Sequence, residues 1–313
     1  MKKIMIGLMS LVTVVYASAP AGRYTDEKGS QVTTVSTQIK DTVTGLIWQK
    51  GSGSAMNWNQ AWNYCNTLAI SSQGSGSWRL PGVKELSTLM DVGVSAGSEV
   101  DRTAFPNTPT DSPFWSFESY QPNAGFAWTV NFGTGEVTPL YVSASNYVRC
   151  VRSPTLATPA ASVPLPVPVS KQLANWKAST GVYDDPAVSG SRFSTVVADS
   201  YTGLQWEAQS SSITYTWDPA GSIGSAQYYC SHQRTGGYND WRLPTVEELL
   251  TLVDYSHVQP VVDGSFFSNT CSGSSYWSAI SGGASVAWAV GCLGGWSSTA
   301  NINTQLDVRC VRN

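Results

Sequence analysis

The chain has 313 residues, of which 18 are basic and 21 acidic, for a formal net charge of −3. Hydrophobic residues make up 42% of it, which excludes a disordered chain, while the charged share is only 12%. The slight acidic excess argues against a nucleic-acid partner, because phosphate binding needs a basic surface. In chain order, Lys2 and Lys3 come first, then an apolar stretch from Ile4 to Tyr16, then the small residues Ala17, Ser18 and Ala19. This predicts a secretory signal peptide over residues 1–17, too short to span a membrane, and no transmembrane segment elsewhere. Its removal would take the net charge from −3 to −5, since it carries two lysines. The expected location is therefore extracellular, at the cell surface or periplasmic.

The rest of the chain repeats itself. Asp41-Thr42-Val43-Thr44-Gly45-Leu46-Ile47-Trp48 returns as Asp199-Ser200-Tyr201-Thr202-Gly203-Leu204-Gln205-Trp206. Tyr64-Cys65 returns as Tyr229-Cys230, and Trp78-Arg79-Leu80-Pro81 as Trp241-Arg242-Leu243-Pro244. Glu85-Leu86, Trp115-Ser116, Ala127-Trp128 and Arg149-Cys150-Val151-Arg152 return as Glu248-Leu249, Trp277-Ser278, Ala287-Trp288 and Arg309-Cys310-Val311-Arg312. The spacing predicts a first domain over 18–152 and a second over 171–313. Residues 153–170 contain Pro154, Pro159, Pro164, Pro166 and Pro168 and no charge. They read as a semi-rigid Pro-rich linker that holds the copies apart.

Within each copy, alternating residues at Val32–Ile39 and Phe193–Ala198 predict a strand. A Thr-Gly turn follows, then a return strand from Leu46 to Trp48 or Leu204 to Trp206. A helix is predicted over Trp58–Leu68, and its counterpart is predicted to start at Asp218-Pro219, an N-cap followed by proline. Thr245 and Glu248 read as the capping box of a second helix, whose stripe is Val246, Leu249, Leu250 and Val253. Gly82 and Glu85 hold the equivalent places in copy one. Short strands follow, ending at Tyr147–Arg152 and Val308–Arg312.

Six cysteines in an exported chain read as disulfides. The repeat correspondence pairs Cys65 with Cys150 and Cys230 with Cys310. Cys271 and Cys292, which face Pro109 and Phe132 in copy one, are left as a bridge special to copy two. Eight of the 13 tryptophans form repeat pairs and read as core. Trp58, Trp62, Trp176, Trp217 and Trp296 are unpaired or only loosely paired. An exposed Trp offers a flat apolar face, so Trp296, Trp58, Trp62 and Trp217 are the candidate ligand contacts. Gln121-Pro122-Asn123 is a candidate, through its similarity to the calcium-site tripeptide of sugar-binding C-type lectins, for a calcium ion. Otherwise no cofactor and no metal site is expected. His232 and His257 lack ligand spacing. Glu85, Glu247 and Glu248 could be pictured as acid–base carboxylates, but capping accounts for Glu85 and Glu248. Arg79 and Arg242, beside Trp and Leu, each need a buried hydrogen-bonding partner.

The ordered series of these motifs resembles the C-terminal domain family of the Legionella collagen-like adhesin, over nearly all of both copies. The resemblance implies a C-type-lectin-like fold and an exported bacterial surface or periplasmic protein. With the local reading it gives an α+β class: two tandem lectin-like domains, each with two helices and short antiparallel strands. The namesake adhesin binds sulfated glycosaminoglycans. This chain has no collagen-like region, and its first copy has 9 basic against 10 acidic residues, so polyanion binding does not carry over. A more distant similarity runs to the formylglycine-generating, sulfatase-modifying family, through Arg-Leu-Pro followed by an acidic residue and a closing Arg-Cys-Val. Those enzymes use a reactive cysteine pair, whereas the repeat assigns every cysteine here to a bridge. The expected function is a non-enzymatic binding protein or adhesin that recognises a glycan or protein through loops. The alternatives are a self-associating structural subunit of a surface assembly and a divergent sulfatase-modifying-type enzyme.

Overall fold

In the computed structural model, residues 22–70, 78–90, 100–153, 183–184, 195–199, 202–255, 262–264, 266–268 and 275–313 are described. The expected signal peptide, His257, Cys271, Trp176 and all of the Pro-rich linker beyond Ser153 lie outside them.

Copy one runs β1 (Tyr24–Thr25), β2 (Gln38–Asp41), β3 (Ile47–Gln49), β4 (Gly53–Met56), α1 (Trp58–Thr67), α2 (Val83–Ser87), β5 (Phe114–Ser119), β6 (Phe126–Val130), β7 (Val137–Tyr141), β8 (Asn146–Val148) and β9 (Val151–Arg152). Copy two runs β10 (Tyr183–Asp184), β11 (Val196–Asp199), β12 (Gln205–Glu207), α3 (Ala226–Ser231), α4 (Val246–Leu252), β13 (Ser275–Ser281), β14 (Val286–Gly291), β15 (Ser297–Asn301) and β16 (Val311–Arg312).

The Asp-x-x-Thr-Gly motif builds the first turn of each copy. The Asp41 carboxylate accepts from Val43 N at 2.9 Å, and Gly45 N donates to the Asp41 carbonyl at 2.8 Å. Gly45 and Gly203 sit at φ 72° and 76°, where a side chain would be strained. Asn57 and Gln60 close a capping box on α1, and Thr245 and Glu248 close the predicted one on α4. Asp218-Pro219 does not start α3. Gly221 and Gly224 take positive φ, and the Asp218 carboxylate is spent on the turn through Ala220 N and Ser222 N. The helix begins seven residues later, capped by Ser225.

The fold class departs from the expected α+β, C-type-lectin-like arrangement of short antiparallel strands. Sixteen strands stand against four α-helices of five to ten residues among the described residues. The strands form two four-stranded sheets, β1-β2-β3-β9 and β10-β11-β12-β16, and one mixed eight-stranded sheet, β13-β14-β15-β7-β6-β5-β8-β4. It is mixed because β5 and β8 pair in parallel, Phe114 opposite Tyr147. The reason for the difference is that five strands of copy one and three of copy two join edge to edge through β7 and β15, so short local strands merge into one sheet.

The copies are therefore not held apart. Their seam is the antiparallel pairing of β7 with β15, Val137 opposite Ser297. These are equivalent positions, since Val137 pairs with Val130 within copy one and Ser297 with Val290 within copy two. The contact is thus isologous, as at a two-fold dimer interface. Val137 N donates to Ser297 Oγ at 3.0 Å, and that hydroxyl donates to the Gly135 carbonyl at 3.1 Å.

Side-chain alternation sorts each strand of the large sheet between two faces. On one face, α2 and α4 pack together and residues of both copies make one core, with Phe114, Trp128, Val130 and Val137 beside Leu249, Val253, Tyr255 and Trp288. On the other face each copy keeps a core of its own. Ala61, Cys65, Trp115 and Ala127 pack with α1, and Ala226, Cys230, Trp277 and Ala287 pack with α3. Disulfides Cys65–Cys150 and Cys230–Cys310 tie these helices to the closing segments. Cys292 is also disulfide-bonded.

The shared face also carries charge, with Lys84 buried and Glu118 half-buried. Lys84 on α2 donates to the Thr251 carbonyl of copy two at 2.8 Å, and burial pushes its ammonium down to about 7. Glu118 on β5 accepts from Val83 N at 3.1 Å, and burial pushes its carboxyl up to about 7, against hydrogen bonds that favour the charged form. Copy two has Ile280 at that place. A carboxyl with a raised folded-state pKa binds more protons folded than unfolded, so its stabilising contribution falls as pH rises from about 4.5 through 7. Glu118→Gln is expected to remove that loss. Urea unfolding should show the variant gaining about 1–3 kcal/mol over the parent between pH 5 and pH 8. A gap that stays constant with pH contradicts the assignment.

Candidate binding surface

The eight repeat-paired tryptophans are all buried. The unpaired ones divide. Trp217 is buried and donates Nε1 to the Ser278 carbonyl at 2.8 Å. Trp58 is half-buried and donates Nε1 to the Ser116 carbonyl at 2.7 Å. These bonds are equivalent, so Trp58 and Trp217 are a fifth repeat pair with a packing role, visible in their spacing of 159 residues. Trp217 is not a ligand contact, because its ring faces no solvent. Trp62 is half-buried, edge-on to Trp58 and Phe117.

Trp296 is the most exposed of the described tryptophans, at 36%. It closes the β14–β15 turn at the seam, where Gly291 N donates to its carbonyl at 2.7 Å. Its ring packs closely against glycine, since a Cβ at Gly291 or Gly294 would stand 2.7 Å from ring atoms. Copy one has Glu136 there, which accepts from Thr134 Oγ1.

A larger aromatic face lies at the far end of copy one. Tyr141 and Phe126 stand directly opposite each other on β7 and β6, with ring centroids 4.1 Å apart. Tyr120 meets Phe126 edge-on at 6.4 Å and Trp128 at 5.4 Å. Tyr141 is 64% exposed while Trp128 is buried, so the row runs from the shared core to solvent. A tight turn holds it: Tyr120 N donates to the Phe126 carbonyl, and the Asn123 side chain accepts from Gly125 N at 2.9 Å. Gln121, Pro122 and Asn123 form an exposed rim, and neither 120–126 nor 141–146 carries a charge. Copy two has Gly282, Val286 and Asn301 at the places of Tyr120, Phe126 and Tyr141. These three differences are visible in the sequence, but in Tyr and Phe rather than in Trp.

Two of the three candidate acid–base carboxylates, Glu85 and Glu248, are held by arginines and helix caps. Arg79 grips Glu85 through two bonds of 2.7 and 2.6 Å, and Gly82 N donates to the same carboxylate at 2.9 Å. Arg242 grips Glu248 through two bonds of 2.7 Å, with Thr245 N at 2.8 Å. Each pair locks the Trp-Arg-Leu-Pro segment to its helix cap, so both arginines have the expected hydrogen-bonding partner, but neither is buried: the Arg79 and Arg242 side chains are 33% and 39% exposed. Gln121 Nε2 donates to Ser119 Oγ, and among the described residues no three His, Cys, Asp or Glu gather at one point. His232 stacks on Tyr228 at the surface.

A family model described as the Lcl C-terminal domain matches residues 37–152 and again 195–312, one match in each copy. No curated protein matches the chain.

Proposed function

The chain belongs to the Lcl C-terminal domain family, and from that premise we propose that it is an exported, non-enzymatic, adhesin-type protein that holds a neutral glycan against its copy-one aromatic face. Export is supported by the N-terminal sequence and by disulfides, which persist in oxidising compartments. No helix among the described residues is long and apolar enough to cross a membrane.

The observation that carries the ligand reading is the exposed Tyr141 ring stacked on Phe126 beside an uncharged amide rim. A pyranose has one apolar C–H face and a hydroxyl edge. The Tyr141–Phe126 surface meets the first by stacking, and the Gln121 and Asn123 side chains can exchange hydrogen bonds with the second. The absence of a basic side chain in the rim segments favours neutral sugars over sulfated ones, which need cations. Adhesion without chemistry is consistent with Glu85 and Glu248 being held by arginine and helix caps.

The test is a glycan array probed with residues 18–313, first with calcium and then with chelator. Tyr141→Ala is expected to weaken array binding about tenfold, the equivalent of roughly 1.4 kcal/mol, while Trp296→Ala leaves it within twofold. Binding that survives Tyr141→Ala places the ligand elsewhere. A silent array with folded, oxidised protein points to a protein ligand. Loss with chelator brings calcium to the Gln121–Asn123 turn.

A further inference from the structure

Copy one secures its first turn with an arginine. Arg23 pairs with Asp41 at 3.1 Å and donates from Nη2 to the Thr88 carbonyl at 2.5 Å, at the end of α2. It thereby joins the buried carboxylate of the turn to a carbonyl at the end of the helix. Copy two has the same two groups, the buried Asp199 and the Thr251 carbonyl on α4. Tyr183 pairs with Asp199 as Tyr24 pairs with Asp41, so the counterpart of Arg23 is the residue before Tyr183, which is Val182. The bond to the Thr251 carbonyl comes instead from the other copy, through Lys84 Nζ at 2.8 Å. Lys84 is buried. Burial works against its charge, while Asp254 and Asp199 of copy two, together with Glu118, favour it.

The place of Lys84 on the copy-two helix is held by Glu247. The seam relates equivalent positions, so the approach of Lys84 to Thr251 has as its counterpart an approach of Glu247 to Thr88, where Arg23 stands. We infer that Lys84 is a cation lent by copy one to copy two in place of the missing arginine, and that it makes the seam a heterotypic interaction surface, which fits a copy-one face only to a copy-two face. Against a second copy-one face, Lys84 would meet a Thr88 carbonyl already held by Arg23, and two cations would converge on each side of the two-fold. Two copy-two faces would bring Glu247 to the Thr251 carbonyl and Asp199, acid towards acid. Only the mixed pairing balances charge on both sides, and selectivity of this kind rests on the repulsion built against the wrong partner.

The test is urea unfolding of the full oxidised chain. Lys84→Met is expected to raise the unfolding equilibrium constant about a hundredfold, because it leaves carboxylates and a carbonyl buried without the cation that serves them. Lys84→Arg keeps the charge and should stay within about tenfold of the parent. Val182→Arg separates this reading from ordinary packing. In the Lys84→Met background it gives copy two an arginine of its own and should recover most of the loss. In the parent it turns copy two into the copy-one type, sets a second cation against Lys84 and should itself destabilise. The same substitution thus changes sign with the residue at position 84. If Lys84→Met does not fold, recovery of a folded chain by Val182→Arg is the same result. The exchange of Lys84→Glu with Glu247→Lys should be at least as damaging as Lys84→Glu alone. Recovery on that exchange would mean that Lys84 and Glu247 simply pair with each other. A Val182→Arg effect of one sign in both backgrounds would mean that Lys84 does not stand in for the arginine. Either result overturns the proposal.

Discussion

Trp128→Ala is expected to destabilise both copies at once, by about 3–5 kcal/mol, within a single cooperative unfolding transition. Trp128 sits on β6 in copy one, only 2% exposed, and its ring meets Tyr255 of copy two at 4.9 Å in an edge-to-face contact. The site cannot easily collapse on a smaller side chain. Tyr255 is tied by its hydroxyl to the Gly295 carbonyl at 2.9 Å, and the backbone at Gly295 approaches so closely that a Cβ there would stand 2.9 Å from Val253. The sheet beneath is pinned on both sides by β5 and β7. The indole's removal therefore leaves a cavity in the core that both copies share. The measurement is urea unfolding with hydrogen exchange followed on peptides of each copy. Exchange that accelerates in copy one alone, with copy two unchanged, would show that the shared core does not couple them. Trp62→Ala is the comparison. Trp62 lies on the opposite face in a cluster confined to copy one, so its loss should be smaller and local.

The parts of this fold legible in the sequence are those set by local chemistry. The Asp41–Gly45 turn is readable because only glycine takes the required φ. The α4 cap is readable because Thr245 and Glu248 satisfy each other's backbone donors. The arginine–glutamate pairs follow from the cost of a charge set beside Trp and Leu, and the disulfide pairs follow from the repeat. The seam is a different matter. Val137 and Ser297 are ordinary strand residues, and nothing in them distinguishes an edge that pairs with its own counterpart from one that faces water. The Pro-rich segment encodes stiffness and reach, not where the second copy docks, so it predicts separation while the β7–β15 pairing joins the copies. The merging of strands across that seam also changes the fold class, a property of the whole chain. Asp218-Pro219 shows the reverse problem: a good cap is overridden by Gly221 and Gly224 a few residues on. Exposed aromatic surface is half legible. Trp296 is exposed as expected, but Tyr141 becomes noticeable only when copy two is seen to carry Asn301 in its place.

The cysteines carry the other large expectation. Replacing Cys65 and Cys150 together by alanine should cost about 4–5 kcal/mol, because the bridge spans 85 residues and its removal frees a long loop in the unfolded chain. Alanine is the right substitute, since both sulfurs are fully buried among Ala61, Trp78 and Trp115 and a hydroxyl would go unsatisfied. The effect should be read by calorimetry on the oxidised chain as a fall in Tm on the order of 10 °C. The equivalent change at Cys230 and Cys310, which spans 80 residues, should cost less in practice. Copy two keeps a further crosslink through Cys292, so its unfolded state remains partly constrained, whereas copy one has none left. The two double variants thus separate loop entropy from packing. Equal losses would mean that the bridges act through the similar cores of α1 and α3. A clearly larger loss in copy one would mean that they act through the unfolded chain. Because the copies share a core, the weaker copy should set the transition of the whole molecule, and the Cys65–Cys150 variant should melt copy two along with copy one.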